Sequence, residues 1–387
     1  MQNPSTLVHS SVAELREYIE AFTRNVSQLS PRRYSGICGF DGFIDTFIRI
    51  QRPATMADFG AKVQAAAGIS ASYPVHHLGD TFGGNGPLLA TALHQIYRTE
   101  IDITYVGALG RPSILPIFEA ALGNRMRALY SLAEPAHSDC LEFNDGKIML
   151  SDLRSCAEID WPRLVETVGL SKLDTLLRPA DFVAAVNWGK LENVESIWAA
   201  IPARLSELKI EPKKVIFFMD LAEFEHRPES HRARLLDTLK PITAQCRTIL
   251  SFNLKEAWQM AELTGGAFHG KKAPDQVAEL AHFLRRTIAV DQVIVHPNNG
   301  AACAGPDRTV YLPGPYCQEP LISTGAGDNF GAGVLAAALA GLDDYGMLLA
   351  GSCASGHFVR SGHSATWDQI AHLAHLWFQD RLPHRIP

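Results

Sequence analysis

Residues 11–29 carry apolar side chains at Val12, Leu15, Tyr18, Ile19, Phe22, Val26 and Leu29, a spacing of three and four that gathers them on one helical face. Ser11 with Glu14 three residues later is a helix-start signal. The pattern predicts an amphipathic helix, and a helical extension over residues 1–34 packed on the surface of the domain proper. After Pro31 the pattern changes: residues 34–40 read as a first strand, Asp41-Gly42 as a turn, and residues 43–50 as a second short run. Short apolar runs at 103–106, 182–186, 215–219, 248–252 and 293–295 then alternate with helical spacing at 87–97, 194–208, 232–244, 254–263 and 274–289. Alternation of this kind predicts an α/β fold, a mostly parallel sheet with helices on both faces. One segment breaks the rhythm. Residues 141–150 read as a hairpin about Asn144-Asp145-Gly146.

Bulk properties narrow the function classes. With 387 residues, 47% of them apolar, the chain can bury a large core. A formal net charge of -6 gives no general attraction to nucleic acid or to an anionic membrane, so an anionic ligand has to be held by a local site. Residues 332–342, the longest run of small apolar residues, fall well short of the ~20 needed to cross a bilayer, and residues 1–10 lack an apolar signal region. Seven scattered cysteines with no Cys-x-x-Cys pair argue against a disulfide framework or structural zinc and fit a reducing cytoplasm.

The chemistry concentrates at residues 323–333, Ser-Thr-Gly-Ala-Gly-Asp-Asn-Phe-Gly-Ala-Gly, ahead of an apolar helical run. Gly325, Ala326 and Gly327 let the backbone turn tightly and aim N–H groups at one anion from a helix start. Asp328 follows in the first turn, where a carboxylate beside a bound anion makes sense as a base for a hydroxyl attacking a phosphoryl group. The plain alternative is a glycine-rich N-cap with an Asp favoured by the helix dipole. Gly325, Gly327 and Gly331 have the wrong spacing for a dinucleotide fingerprint, and no Lys follows as in a Walker loop. Asn253 and Glu256, one turn apart after a predicted strand, form an oxygen pair suited to hydrated Mg²⁺, or equally an N-cap with its capping box.

The 323–335 segment resembles the Gly-Ala-Gly-Asp signature of the ribokinase (PfkB) family of carbohydrate and nucleoside kinases. That resemblance implies a three-layer α/β/α sandwich over residues 35–387, covered by a small β-sheet lid with strands from about 43–52 and 137–153. It further implies ATP and Mg²⁺ as cofactors and a sugar or nucleoside as acceptor. Asp328 becomes the catalytic base and Gly325, Ala326 and Gly327 the anion hole. Asn253 and Glu256 help place the metal. Asp45, with Asp41 as a nearby competitor, and Gly83, Gly84 and Asn85 contact the acceptor. Asn298, Gly300, Ser355 and Gly356 lie along the nucleotide. An exposed lid edge offers a route to a homodimer. Leu88, Arg111 and Ile322 stand where the family carries polar or acidic residues, which leaves open a catalytically silent metabolite binder of the same fold, and the altered loop from His296 to Gly300 leaves open an ADP-dependent sugar kinase.

Overall fold

The computed structural model describes residues 5–30 and 32–386. Its strands, in chain order, are β1 (Ser5–Val8), β2 (Tyr34–Gly39), β3 (Phe43–Ile50), β4 (Val75–Gly83), β5 (Ile101–Ala108), β6 (Ala128–Ala133) and β7 (Ala136–Glu142). The second half adds β8 (Lys147–Asp152), β9 (Phe182–Val186), β10 (Ile216–Asp220), β11 (Arg247–Asn253), β12 (Gln292–His296), β13 (Gly300–Ala304) and β14 (Arg308–Pro313). Ten of them form one sheet in the order β1-β14-β13-β12-β11-β10-β9-β2-β5-β6, and four form a second sheet in the order β4-β3-β7-β8.

In the large sheet every pairing is parallel except β12 with β13 and β13 with β14. The central strands β9 (Phe-Val-Ala-Ala-Val) and β10 (Ile-Phe-Phe-Met-Asp) are buried at every position, the continuous run expected of a strand covered on both faces. One apolar core fills each face. The first packs the helices Arg16–Ser27, Asn85–Tyr97, Ala326–Leu339, Asp344–Ser361 and Trp367–Phe378 on the sheet, and the second packs those between Trp161 and Ile288 on the other side. The helix Ala326–Leu339 is built of small residues because its neighbours leave no room. A β-carbon on Gly333 would meet the Ala350 carbonyl oxygen at 2.5 Å, and one on Gly351 would meet Val334 at 2.9 Å.

The sheet's order runs outward in both directions from β2. One branch of the chain steps to β5 and β6, the other to β9, β10, β11 and β12, so the switch point lies between β2 and β9. Ligand crevices open at the carboxyl ends of strands at such a point. Asp41 lies there, fully buried, and accepts from the amides of Asn85 and Gly86, both at 2.8 Å, and from Asn187 Nδ2 at 2.6 Å. The tyrosine hydroxyl of Tyr105 donates to its carbonyl at 2.6 Å.

The expected segments at 34–40, 43–50 and the 141–150 hairpin are all present, as are the five predicted helices. The N-terminal segment is more than a helix. A turn of 3-10 helix, Val12–Leu15, leads into Arg16–Ser27, and β1 ahead of it extends the main sheet alongside β14. Tyr18 stacks on Tyr345 at 3.7 Å between ring centres, and His9 hydrogen-bonds the Tyr345 hydroxyl at 3.0 Å. The small sheet gains a strand, β4, that the hydrophobic pattern does not announce. Its first seven residues are exposed on both faces, so no alternation marks it. The helix Met56–Ala65 is likewise unmarked because it buries nothing. Among the described residues no helix is long and apolar enough to cross a membrane.

Burial pushes the Asp41 carboxyl up to about 6 against its three hydrogen bonds. In the unfolded chain it returns to about 3.9, so between these values the folded state holds a proton that the unfolded state has released. Its contribution therefore favours folding below pH ~4 and is lost as the pH rises through about 6. In urea unfolding of wild type and Asp41→Asn at pH 4.5 and 7, the stability advantage of the wild type should shrink by ~2 kcal/mol at the higher pH. A constant difference would contradict this reading.

Candidate active site

Consecutive parallel strands deliver one polar residue each to the same end of the sheet: Asn187 after β9, Asp220 ending β10, Asn253 ending β11 and His296 ending β12. A cavity of about 390 Å³ opens over the last three. Asn253, Glu256, Asn298, Gly300, Ser355 and Gly356 all line it, together with Asp220, His296, Ala326 and Gly327. Every residue expected at the nucleotide and the metal thus faces one space. Pro315, Tyr316 and Val359 give that space apolar walls. Arg360 stiffens them, bonding the carbonyls of Gly356 at 2.9 Å and Tyr316 at 2.7 Å.

Asn253 and Glu256 do form a capping box: Glu256 N donates to Asn253 Oδ1 at 3.0 Å, and Asn253 N to Glu256 Oε2 at 3.1 Å. Capping and cavity lining coexist, because the cap puts both side chains at the helix start, which faces the cavity. Glu256 is nearly buried, and burial followed by the charge of Asp220 raises its carboxyl well above the ordinary range. Asp220 is itself raised to about 6 by burial, with a further push from Asp41. Asp328 is raised well above its usual value by burial and then by Asp220. Three carboxylates that disfavour one another's ionisation call for a cation among them. No three His, Cys, Asp or Glu residues among those described converge as a ready-made metal cage. This donor set suits Mg²⁺, which keeps several waters and takes its remaining oxygens from phosphates.

The helix Ala326–Leu339 begins at Gly325, whose φ of 89° is left-handed. Its first-turn amides lack carbonyl partners within the helix, and the dipole adds positive charge there. The Ala326 amide turns back to the Ser323 carbonyl at 3.2 Å. Asn329 ties the turn down by donating from Nδ2 to the Gly325 carbonyl at 2.9 Å.

On the far side of this turn lies a second cavity, of about 480 Å³. Asp45, Gly84, Asn85, Gly325 and Asp328 line it, roofed by Ser138, Met149 and Ser151 from the small sheet. The two cavities meet at Asn85, which lines both and whose Nδ2 donates to Asp328 Oδ1 at 2.9 Å. Asp45, not Asp41, faces the second cavity. Asp41 has no exposed surface and its carboxylate is already spent on the Asn85–Tyr97 helix start. Asp45 Oδ1 is buried without a partner. Gly83 and Gly84 admit these two acids: a β-carbon on Gly83 would lie 2.2 Å from Asp45 Oδ2, and one on Gly84 2.9 Å from Asp41 Oδ2. From the lid, Lys147 reaches across to donate to the Thr324 hydroxyl, next to Gly325.

Several residues of the site carry no distinctive sequence signal. Asn187 lines the second cavity at a φ of 62°, a conformation Asn tolerates better than most. Its only signal is its place just past a buried strand. His296 stands where a glycine-containing loop begins. Burial pulls its imidazole down to about 4, its ring stacks on Phe330 at 4.4 Å, and its Nε2 is buried without a partner. Lys147 and Thr324 are 177 residues apart, and only the folded lid brings them together.

A sequence model of the prokaryotic ketohexokinase family matches residues 27–377. The ketohexokinase of Haloferax volcanii is 25% identical over 361 residues, which cover 89% of this chain and 92% of that protein. Among solved structures, Arabidopsis thaliana ribokinase complexed with ribose and ATP superposes with a TM-score of 0.61 at 16% identity, over 89% of this chain and 99% of its own. Thermotoga maritima ribokinase does so with a TM-score of 0.59 at 15% identity, over 90% and 99%. The two ribokinases share the fold, and the family match spans the sheet, the lid and both cavities. The chain belongs to the prokaryotic ketohexokinase family within the ribokinase-like (PfkB) carbohydrate kinases.

Proposed function

We propose that the chain transfers the γ-phosphoryl group of ATP to a hydroxyl of a ketohexose, with Asp328 as the general base. One observation carries this reading. Asp328 faces the second cavity while Ala326 and Gly327, immediately before it, face the first, so acceptor and donor meet across a single helical turn. The family and its Haloferax relative are ketohexokinases, which supports a ketohexose as acceptor. The Arabidopsis ribokinase is complexed with ATP, which supports ATP as donor.

The roles follow from the geometry. Asn298, Gly300, Ser355 and Gly356 flank the nucleotide, and the helix start at Gly325, Ala326 and Gly327 presents its positive dipole end to the transferring phosphoryl group, the Ala326 amide being shared with the Ser323 carbonyl; such fixed dipoles cost no reorganisation as charge develops. Asp45 accepts from the acceptor's hydroxyls with its free Oδ1. Asn85 holds Asp328 in one orientation. Its raised carboxyl is closer to the pH of the reaction than an exposed one, the condition for efficient proton abstraction. Mg²⁺, held through water by Asn253, Glu256 and Asp220, would supply positive charge to the phosphates. The lid, tied down by Lys147 at Thr324, keeps water from taking the phosphoryl group. Its outer strand β4 is exposed with Val75 and Leu78 outward, and this edge is where a second copy would pair. Seven free cysteines, six of them buried, fit a reducing cytoplasm.

Asp328→Asn should lower turnover by ~10²–10⁴-fold with little change in KM or melting temperature. The measurement is a coupled assay with ATP or ADP against ketohexoses, aldohexoses and nucleosides. Equal turnover by both proteins would remove Asp328 from the mechanism, and turnover with ADP alone would replace the donor. Glu256→Gln keeps the capping box and deletes the charge. It should raise the Mg²⁺ concentration for half-maximal activity by ~10-fold or more while the melting temperature holds. An unchanged Mg²⁺ dependence would exclude Glu256 from the metal's surroundings. Sedimentation velocity should detect a dimer that Leu78→Lys dissolves; a wild-type monomer at micromolar concentration would rule out pairing through β4.

A further inference from the structure

Behind the acceptor cavity, across a wall made by Asp45, Leu88 and Thr324, lies a third chamber of about 550 Å³, larger than either working cavity. The chemistry assigned above makes no use of it. It is enclosed by the lid strands β3 and β4, the Asn85–Tyr97 helix and the ends of the two helices that follow Gly325.

Two buried side chains of its lining each carry an oxygen without a partner. Asp45 is 6% exposed and its Oδ1 is unbonded. Asn329 is 2% exposed and its Oδ1 is unbonded, its amide nitrogen being committed to the Gly325 carbonyl. Both are oxygens that require a donor. A buried acceptor left without a donor is destabilising, and the chamber has room for far more than one water. A ligand rich in hydroxyls would satisfy both. Phe47, Phe82 and Phe358 also line the chamber and offer apolar faces to the C–H surface of a sugar ring or chain. The mouth is cationic. Arg125 is exposed there with one N–H on the Ala121 carbonyl at 3.1 Å and no ion pair among the described residues, and His363 is exposed in the same lining. A carboxylate at the inner wall and a guanidinium at the mouth orient an anionic group outward.

We propose that this chamber is a second binding site for a phosphorylated monosaccharide, the class of compound the kinase releases, with its hydroxyls on Asp45 and Asn329 and its phosphate on Arg125. A ligand held there draws on the same Asp45 and Thr324 that line the acceptor cavity, so accumulated product weakens acceptor binding from behind without entering the cavity that contains Asp328. The choice of sugar phosphate rests on the sugar-kinase reading. The existence of the site does not, and its test needs no turnover.

Calorimetric titration of the full chain, without nucleotide, with fructose 1-phosphate, fructose and inorganic phosphate tests it, using Arg125→Ser and the chamber-filling Gln95→Trp. Fructose 1-phosphate should bind the wild type, at least tenfold more weakly to Arg125→Ser, and undetectably at the chamber in Gln95→Trp. Both variants should keep the wild-type melting temperature, and their kcat and KM for the sugar should stay within twofold in the absence of product. Sugar-phosphate affinity unchanged in both variants would place all binding in the acceptor cavity and overturn the proposal. Inorganic phosphate binding as tightly as fructose 1-phosphate, with the same response to the variants, would overturn it in favour of a simple anion site. Absence of any binding at millimolar concentration would also overturn it. Loss of kinase activity with every acceptor, with sugar-phosphate binding intact, would instead count against the proposed reaction alone.

Discussion

A buried carboxylate at the switch point of the sheet holds the site together. Asp41 follows β2, and its oxygens bind the first two amides of the Asn85–Tyr97 helix and the side chain of Asn187 beyond β9. That one group therefore fixes the helix start against the two strands where the chain's path divides. Asn85 is positioned by its own amide, and its side chain in turn orients Asp328. Asp328 is thus set by a relay of two hydrogen bonds that starts at Asp41. Burying an anion is costly unless donors surround it, and here three donors do so.

Electrostatics give the cavities their division of labour. Asp220 is the common neighbour of Glu256 and Asp328, and its charge adds to burial in raising the proton affinity of both. The start of the Ala326–Leu339 helix supplies the opposite sign at the boundary. In the proposed reaction a phosphate chain with its cation would neutralise both patterns at once, whereas a neutral sugar on the other side would meet hydrogen-bonding groups and apolar lid residues. The lid closes over this second space with Met149, Ser138 and Ser151, and Lys147 links it to the helix turn. The small sheet and the start of the Ala326–Leu339 helix are therefore mechanically joined at Thr324.

Much of this was legible in the residues. Gly325 to Asp328 announced a tight turn into a helix because only small residues permit it, and the strands at 182–186 and 215–219 declared themselves by unbroken apolar runs. Asn253 with Glu256 read two ways, as a cap or as a metal helper, and the fold makes both roles compatible. Asp41 and Asp45 could not be separated by spacing, since both follow the same strand within five residues. Only burial distinguishes them, the one spent on backbone amides and the other open to a cavity.

The parallel α/β sheet, the glycine-rich turn and the acid beside it were readable from the residues alone, because these depend on local spacing and on glycine's freedom at one positive φ. Folding was needed to show which of Asp41 and Asp45 faces a cavity, that β1 and β4 are strands, that Lys147 meets Thr324, and that a third chamber lies behind the wall at Asp45. Strands exposed on both faces carry no hydrophobic period, and contacts between residues 177 apart leave no trace in a local pattern. Cavities are the space between elements, and that space exists only once the two sheets and the helices have packed.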